Sequence, residues 1–517
     1  MELKTAAKLR EAANHLLKKV AADAEKEVER LFKDWLPTTP WKGKAYAVGG
    51  YVRDEYLSKI KKDPSIKAKD LDIMVDSPKG GGAEELTKYI NTTLNKENPG
   101  SVSTPYQMGK SYPIWQITFK ENINYKGDLY QTQGAVIEFA DSQKESFPDP
   151  KSRQRVTEPG TVEEDIMRRD FTVNMLLKDL STGEIKDLTG RSRKDIEEGN
   201  LTGHPKVNLD EMFTSDPLRM LRLVRFKAKY NWKIPQYMID SVKRNADRIN
   251  IISSERIQEE MEKIADYGKL SSMIKFMRDT GLLEHILPEV KALQEETQSE
   301  RHHQEGDVLT HTLMVLDNAK PGLNNQMAAL LHDIGKPATR SMMEGEIKHH
   351  GHEAAASEIA EGIMRRLNFK VKDIDKVKKM VRNHMRPHAL AKDLEEGKLT
   401  EKALRRFIRS IGDELVDSLL DLAEADQLGK IPPSNSIPML REKIEQARKV
   451  PVSKKPPLNG NEIKELLDIK AGPEVGVAIG IVNDIEDEYV EKEGKKPSKE
   501  YMEKELMKRW KKRRDKM

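Results

Sequence analysis

The chain has 517 residues, 37% hydrophobic and 34% charged, with a formal net charge of +4. That length exceeds what a single hydrophobic core organises, so several domains are expected, and the small net charge does not by itself call for a nucleic-acid partner. With no cysteine, disulfides and thiolate metal sites are excluded, and any metal must be held by His, carboxylate, carbonyl or water. Met1–Lys19 lacks the apolar centre of a secretory signal. No apolar run nears the roughly 20 residues that span a bilayer. A cytoplasmic protein without a membrane partner is expected.

In chain order, Leu3, Ala7, Leu9, Ala13, Leu16, Leu17, Val20 and Ala24 fall near helical spacing and predict one amphipathic helix over residues 2–36. The stretch LPTTPWKGK ends it with prolines and a glycine. Residues 44–200 change texture: AYAVGG, LDIMV, IWQITF and AVIEFA predict short strands separated by turns and helices. From about residue 205 the apolar spacing is helical in segment after segment. Pro, Gly and Ser cluster at 431–438 and 451–460, where hinges are expected. The fold class is therefore α+β, a mixed N-terminal domain followed by a long helical array.

Two constellations carry chemistry. In AVGGYVRDEYL, Gly49 and Gly50 precede a predicted helix, whose first N–H groups suit an anion, with Arg53 in its first turn. Asp70-Leu71-Asp72 follows at the mouth of a predicted strand. On a strand, residues two apart point to one side, so both carboxylates are expected to converge, and a divalent cation would relieve their repulsion. Such a clamp suits Mg²⁺ and phosphoryl chemistry. Alone, the first motif is more often a plain turn and the second more often a charged strand edge. Their order and spacing favour the functional reading.

Together, VGGYVRD, DLD, EEDIMRRDFTVNML and SDPLRMLRLVRF resemble the class II tRNA nucleotidyltransferases, the CCA-adding enzymes related to bacterial poly(A) polymerases. The resemblance runs from about residue 44 to 480 and implies a small mixed-sheet nucleotidyltransferase head followed by helical neck, body and tail. Beyond an N-terminal helical extension at 1–40 that it leaves out, it places the head at 41–200, the neck at 201–268, the body at 269–450 and a tRNA-binding tail at 451–517. It implies that Asp70 and Asp72 hold the catalytic Mg²⁺ ions, with Glu138 a candidate third carboxylate. Gly49, Gly50 and Arg53 would face the triphosphate. Arg168, Arg169, Asp170 and Asn174 would hold the phosphates and ribose, and Asp216 and Arg219, with Arg222 beside them, would read the base edge of CTP or ATP. Ser215 stands where the family has Glu. Arg222 and Arg225 are equally suited to a basic face meeting RNA or solvent. Gly109-Lys110-Ser111-Tyr112 looks more like the CCA-adding than the poly(A) branch, and Gln143 replaces a family arginine that Lys144 could stand in for. The long span from Asp72 to Arg168 predicts an insertion within 76–135.

The second constellation is His311, His332-Asp333, His352, His384 and Asp426, set in order along predicted helices. It resembles the HD-domain phosphohydrolases, here within about 305–430. The resemblance implies that His311, His332, Asp333 and Asp426 bind one divalent metal, and that His352 and His384 bind a second metal or the scissile phosphate. Imidazole with carboxylate suits Ni, Mn, Fe or Co. The implied reactions are 2′,3′-cyclic phosphodiesterase and phosphatase.

The implied partners are the tRNA 3′ acceptor end, CTP and ATP, gripped in part by the basic segments KSRQRV at 151–156 and YMEKELMKRWKKRRDKM at the C-terminal end. Monomer and homodimer both stay open. So do a poly(A) polymerase, an enzyme adding only C or only A, and a metal-dependent RNA phosphohydrolase whose head is inactive.

Overall fold

The computed structural model describes residues 20–109, 112–146, 156–296, 306–343, 346–431, 436–449 and 458–514. The expected first helix is described over 20–35 (α1); Lys110, Ser111, nearly all of 151–156 and much of both expected hinges lie outside the described residues. The chain divides into two compact units, Met1–Ser253 with Asp279–His285, and Ser254–Arg278 with Ile286–Met517.

In the first unit α1 leads into β1 (Ala45–Val48), α2 (Gly50–Lys61), β2 (Asp72–Val75), α3 (Gly82–Glu97), β3 (Tyr106–Met108) and β4 (Ile114–Thr118). A hairpin, β5 (Ile123–Tyr125) and β6 (Asp128–Tyr130), precedes β7 (Val136–Asp141), β8 (Gln143–Ser146) and β9 (Val156–Pro159). Then come α4 (Val162–Met167), β10 (Leu176–Asp179), β11 (Ile185–Asp187), α5 (Ser192–Glu198), α6 (Leu209–Ser215), α7 (Leu218–Tyr230) and α8 (Gln236–Arg244). The central sheet has seven strands in the order β11-β10-β1-β2-β7-β4-β3. It is mixed: β2 runs parallel to β7, while β1 pairs antiparallel with both β10 and β2. The hairpin β5–β6 forms a separate two-stranded sheet, within the stretch where an insertion is expected.

Side-chain alternation decides what each face of the sheet does. Tyr46 and Val48 of β1, Met74 of β2 and Leu177 of β10 pack with Val162 and Ile166 of α4 in one buried cluster. Asp72 shares the parity of Met74, so it belongs to the face that α4 covers. On α1, Phe32 has its ring 6.4 Å from both Phe119 and Phe139. The capping box at Thr161, with Glu164 at N3, starts α4 at the point that sets the following arginines near the sheet.

The second unit is helical. After α9 (Ser254–Asp266), α10 (Leu270–Thr280), α11 (Leu283–Ile286), which falls almost wholly in the first unit, and α12 (Pro288–Lys291), the elements are α13 (Val308–Asn318), α14 (Leu323–Leu331), α15 (Lys336–Thr339) and a hairpin, β12 (Ser341–Met343) with β13 (Glu346–Lys348). They continue with α16 (His352–Arg366), α17 (Val371–Asn383), α18 (Met385–Glu395), α19 (Glu401–Ile411), α20 (Asp413–Leu428) and α21 (Ile437–Ala447). The last are α22 (Gly460–Leu467), α23 (Pro473–Glu493) and α24 (Lys499–Arg514). Helices α13, α14, α16, α17 and α20 pack into a bundle. The tail has its own apolar core, in which Trp510 packs with Leu458, Leu467, Met502 and Leu506. Trp510 is thus a core residue. On α23, Asp484, Asp487 and Glu488 form ion pairs with Lys402, Arg406 and Arg409 of α19. No helix among the described residues is long and apolar enough to cross a membrane.

Candidate functional sites

The first site lies at the edge where β1, β2 and β7 begin or end. Gly49 precedes α2 at φ 70°, the left-handed region that glycine enters without strain. A Cβ on Gly49 would lie 3.7 Å from Arg169 Nη1. Asp72 opens β2 directly opposite Glu138 in the parallel register with β7, so these carboxylates share one face. Gln116 lies across from Glu138 on β4, its side-chain amide 3.4 Å from Oε1. Asp70 is not on the strand, contrary to the expectation from alternation. It sits before β2 with φ 59°, a turn conformation that aspartate tolerates better than most residues. Proximity to Asp72 therefore comes from a turn. Asp72 keeps solvent contact, but the protein packed round it, Glu138 and Asp70 together push its carboxyl up to about 6. Asp70, Asp72 and Glu138 do not form one of the three-residue sets whose ligand atoms all lie within 4.8 Å of one another among the described residues.

The arginines are held by an acid that the motif reading passed over. Buried Asp165 on α4 accepts from Nε and Nη2 of Arg168 at 3.1 and 2.8 Å, from Nε and Nη2 of Arg169 at 3.0 and 2.8 Å, and from the Gln143 backbone N–H at 3.1 Å. Burial opposes its ionisation, yet Arg169 and Arg168 outweigh that and hold its carboxyl below the usual range. Arg168 Nη1 also donates to Glu145 at 2.9 Å. Lys144 pairs with Glu158 at 3.5 Å.

Arg53 is 5% exposed. Its Nε donates to Asp54 at 2.8 Å, Nη1 to Asn174 at 2.5 Å and Nη2 to the Tyr230 hydroxyl at 2.6 Å. Asn174 donates on to Asp170 at 2.8 Å, and Asp170 accepts from Arg222 Nε at 2.8 Å. Burial opposes ionisation of Asp170, but Arg222 and Asn174 hold its carboxyl well below the ordinary range. This chain links α2, the RRD segment and α7. Arg53 is a buried hub between them.

Asp216 ends α6, and its carboxylate accepts from the Leu218 backbone N–H at 3.3 Å. Buried Arg219 donates to the Met212 carbonyl at 3.1 Å, to the Ser215 hydroxyl at 3.3 Å and to the Arg168 carbonyl. Burial pulls its guanidinium down from the usual value. Ser215, where an acid was expected by resemblance, thus meets Arg219 with a hydroxyl.

The second site is built from six helices and their junctions. His311 projects from α13, His332 and Asp333 follow α14, His352 opens α16, His384 joins α17 to α18, and Asp426 lies in the last turns of α20. Each of the four imidazoles has Nδ1 beside a backbone carbonyl: His311 with Gly429 at 3.2 Å, His332 with Ala329 at 2.8 Å, His352 with His349 at 2.9 Å and His384 with Val381 at 2.8 Å. A carbonyl only accepts, so Nδ1 carries the proton and Nε2 is left as the inward lone pair, the arrangement of metal-ligating histidines.

Asp333 is the centre. Its Oδ2 lies 3.2 Å from His332 Nε2 and 3.8 Å from His311 Nε2, while Oδ1 lies 3.4 Å from His352 Nε2 and 3.9 Å from His384 Nε2. Two ligand sets result, His311–His332–Asp333 and Asp333–His352–His384, sharing the one carboxylate. Asp426 Oδ1 is 3.0 Å from His311 Nε2. Burial opposes ionisation of Asp333, but the positive charge of His332 when protonated, of Lys336 and of His311 when protonated outweighs it and holds the carboxyl well below the ordinary range. Burial and the neighbouring His332 pull the His384 imidazole down to about 3, which keeps it neutral and able to ligate.

Three further residues belong here. Lys336 Nζ is 2.7 Å from Asp333 Oδ2, His388 Nε2 is 2.7 Å from Asp426 Oδ2, and Lys430 Nζ is 3.3 Å from the same oxygen. His388 follows His384 by four residues on helical sequence, a spacing that could have flagged it. Gly335 is fixed by space: a Cβ there would lie 2.3 Å from the His352 carbonyl and 2.5 Å from the Ala356 nitrogen.

Comparison with known proteins identifies the domains in which the two sites lie. Residues 45–202 match the model of the poly A polymerase head domain, 233–294 the probable RNA- and SrmB-binding site of polymerase A, and 308–428 the HD domain. The multifunctional CCA protein of Herminiimonas arsenicoxydans is 30% identical over 337 residues, which is 63% of this chain and 69% of that one. The CC-adding tRNA nucleotidyltransferase of Thermus thermophilus is 30% identical over 334 residues, 62% of this chain and 72% of that one. The Bacillus stearothermophilus CCA-adding enzyme, solved in complex with CTP, shares the fold with a TM-score of 0.60 at 18% identity, over 96% of this chain and 99% of that one. The chain belongs to the tRNA nucleotidyltransferase family of the multifunctional CCA proteins, with a poly(A)-polymerase-type head and an HD domain.

Proposed function

We propose that this enzyme adds C, C and A to the tRNA 3′ end from CTP and ATP, without a template and with release of pyrophosphate. The observation that carries the reading is the acidic edge at Asp70, Asp72 and Glu138, bordered by the Gly49 turn and by Arg169. The close placing of Asp72 against Glu138 and Asp70 suits a hard divalent cation, and we assign Mg²⁺ there. When bound, it supplies Lewis-acid activation of the 3′-hydroxyl and charge neutralisation on the departing pyrophosphate. The protein contributes position: Asp165 presents the two arginines as a pair for phosphate oxygens. Asp170, Asn174 and Arg222 fix the nucleotide-facing segment against α7, where Asp216 and Arg219 read the base edge. Asp216 accepts from the exocyclic amino group that C and A have and U and G lack at that position. A cytoplasmic tRNA substrate accords with this reading.

A CC-only enzyme is the second reading, favoured by the equal identity to the Thermus thermophilus protein. Labelled CTP and ATP offered to tRNA lacking its terminal CCA separates the two. Incorporation of one A supports CCA addition, and no A with normal C addition supports the CC-only reading.

For the HD cluster we propose hydrolysis of 2′,3′-cyclic phosphates and phosphomonoesters, with a transition metal from Ni, Mn, Fe or Co held by His311, His332, Asp333 and Asp426. The inward Nε2 atoms and buried carboxylates fit such an ion. His352 and His384 would take a second ion or the phosphate across the shared Asp333. Loss of cyclic-phosphate hydrolysis in His332→Ala with nucleotide addition retained is the expected result.

A further inference from the structure

Helix α7 is tied to the start of α2 through a hydroxyl. Tyr230, the last residue of α7, accepts from Arg53 Nη2 at 2.6 Å and donates to Asp54 Oδ1 at 2.8 Å. Lys229 beside it has Nζ 3.5 Å from Asp54 Oδ2. The Tyr230 ring is stacked with Trp232 at 4.5 Å and with Phe226 at 6.2 Å, and the Arg53 guanidinium lies 4.9 Å from its centroid. Phenylalanine would fill that stack equally well, so packing alone does not explain the hydroxyl. What the hydroxyl holds is close to the glycine turn: a Cβ placed on Gly50 would lie 3.3 Å from Arg53 Nη2. The guanidinium therefore rests against Gly50, with its far side fixed by the end of α7. Near its start the same helix carries Arg219 and Arg222, and Arg222 reaches Asp170. One helix thus meets the glycine turn through its last residue and carries the proposed base-reading arginine near its first.

We propose that Tyr230 is a positioning residue of the nucleotidyl-transfer site, holding Arg53 against the Gly49-Gly50 turn so that the turn meets the triphosphate in fixed register with the base-reading end of α7. It acts through Arg53 and not by contact with substrate. The proposal rests on the head assignment above, and on no property of the HD cluster.

The test uses full-length Tyr230→Phe, Arg53→Lys and the double variant, with Asp72→Ala alongside. Tyr230→Phe keeps the aromatic stack and removes only the hydroxyl, so the fold is retained. Binding of CTP and of CMP with Mg²⁺ and without tRNA reads the hold on the outer phosphates, and the ratio of the two dissociation constants does not depend on the folded fraction. In Tyr230→Phe, CTP should bind about tenfold more weakly and CMP within about twofold of wild type, because the turn and not the base pocket is loosened. The double variant should bind CTP no more weakly than Arg53→Lys alone, because both changes break one connection. Wild-type CTP affinity in Tyr230→Phe would overturn the proposal, as would equal weakening of CTP and CMP, or losses that multiply in the double variant. If Asp72→Ala incorporates CTP normally, the head assignment itself fails. If Asp72→Ala is dead and Tyr230→Phe binds CTP as wild type does, only the role of Tyr230 fails.

Discussion

Asp165 is the residue on which the arrangement of the head depends most heavily. Its two oxygens accept from four N–H groups of Arg168 and Arg169 and one backbone N–H, and it is 1% exposed. Asp165→Ala removes one side of a buried ion cluster and leaves two guanidinium groups without their shared partner. Breaking a buried pair in this way costs about 3–5 kcal/mol. Glu145 still meets Arg168, and both arginines keep partial solvent contact, so the lower end, about 3 kcal/mol, is expected. At roughly 2–4 °C per kcal/mol for a unit of this size, the head should melt about 6–12 °C lower. Differential scanning calorimetry reads this, and CTP incorporation on tRNA lacking its 3′ end reads the functional consequence, a fall of at least about tenfold in kcat/KM as the phosphate-facing pair loses its fork. A variant with wild-type melting and wild-type incorporation would refute the reasoning, since it would mean that the pair is organised without Asp165.

Further outcomes follow from the same geometry. Asp333→Ala removes the carboxylate shared by both ligand sets; elemental analysis should find the HD metal lost, with cyclic-phosphate hydrolysis abolished and nucleotide addition intact. Gly335→Ala brings a Cβ against the backbone of α16; overpacking of this kind costs about 1–3 kcal/mol, and HD-site hydrolysis should fall because His352 sits on the displaced turn. The raised Asp72 carboxyl, near 6 against an ordinary value of 3.8, gives a signed pH dependence. Between those values the folded chain retains a proton that the unfolded chain has lost, so metal-free head stability falls as pH rises through this window. Added Mg²⁺ should therefore raise the melting temperature more at pH 7 than at pH 5, as thermal-shift measurements with and without the ion will show.

Local pattern revealed the parts of this molecule whose logic is local. The glycine turn before α2, the strand runs at AYAV, DIMV, IWQIT and VIEFAD, and the positions of the histidines at helix ends follow from spacing and turn chemistry alone. Alternation misled at Asp70, because a turn rather than a strand brings it beside Asp72, and backbone handedness at a non-glycine residue leaves no sequence mark. Asp165 was hidden among the acids of EEDIM, since which of them points inward depends on the packing of α4. Arg53 carried a phosphate-binding look, yet its partners Asn174 and Tyr230 come from 121 and 177 residues away, distances over which a single sequence is silent. The same holds for the backbone carbonyls that set the histidine tautomers. Trp510, sitting among lysines and arginines, is buried because the long basic side chains of α24 face outward while its apolar residues close the tail core.

The most direct test of the account is nucleotide incorporation by the full chain on tRNA stripped of its terminal CCA, with Mg²⁺, comparing wild type with Asp72→Ala. The account predicts two C residues with CTP alone, none with ATP alone, one complete CCA end with both, and no incorporation by the variant. Long A tails from ATP alone, or unimpaired addition by Asp72→Ala, would contradict it.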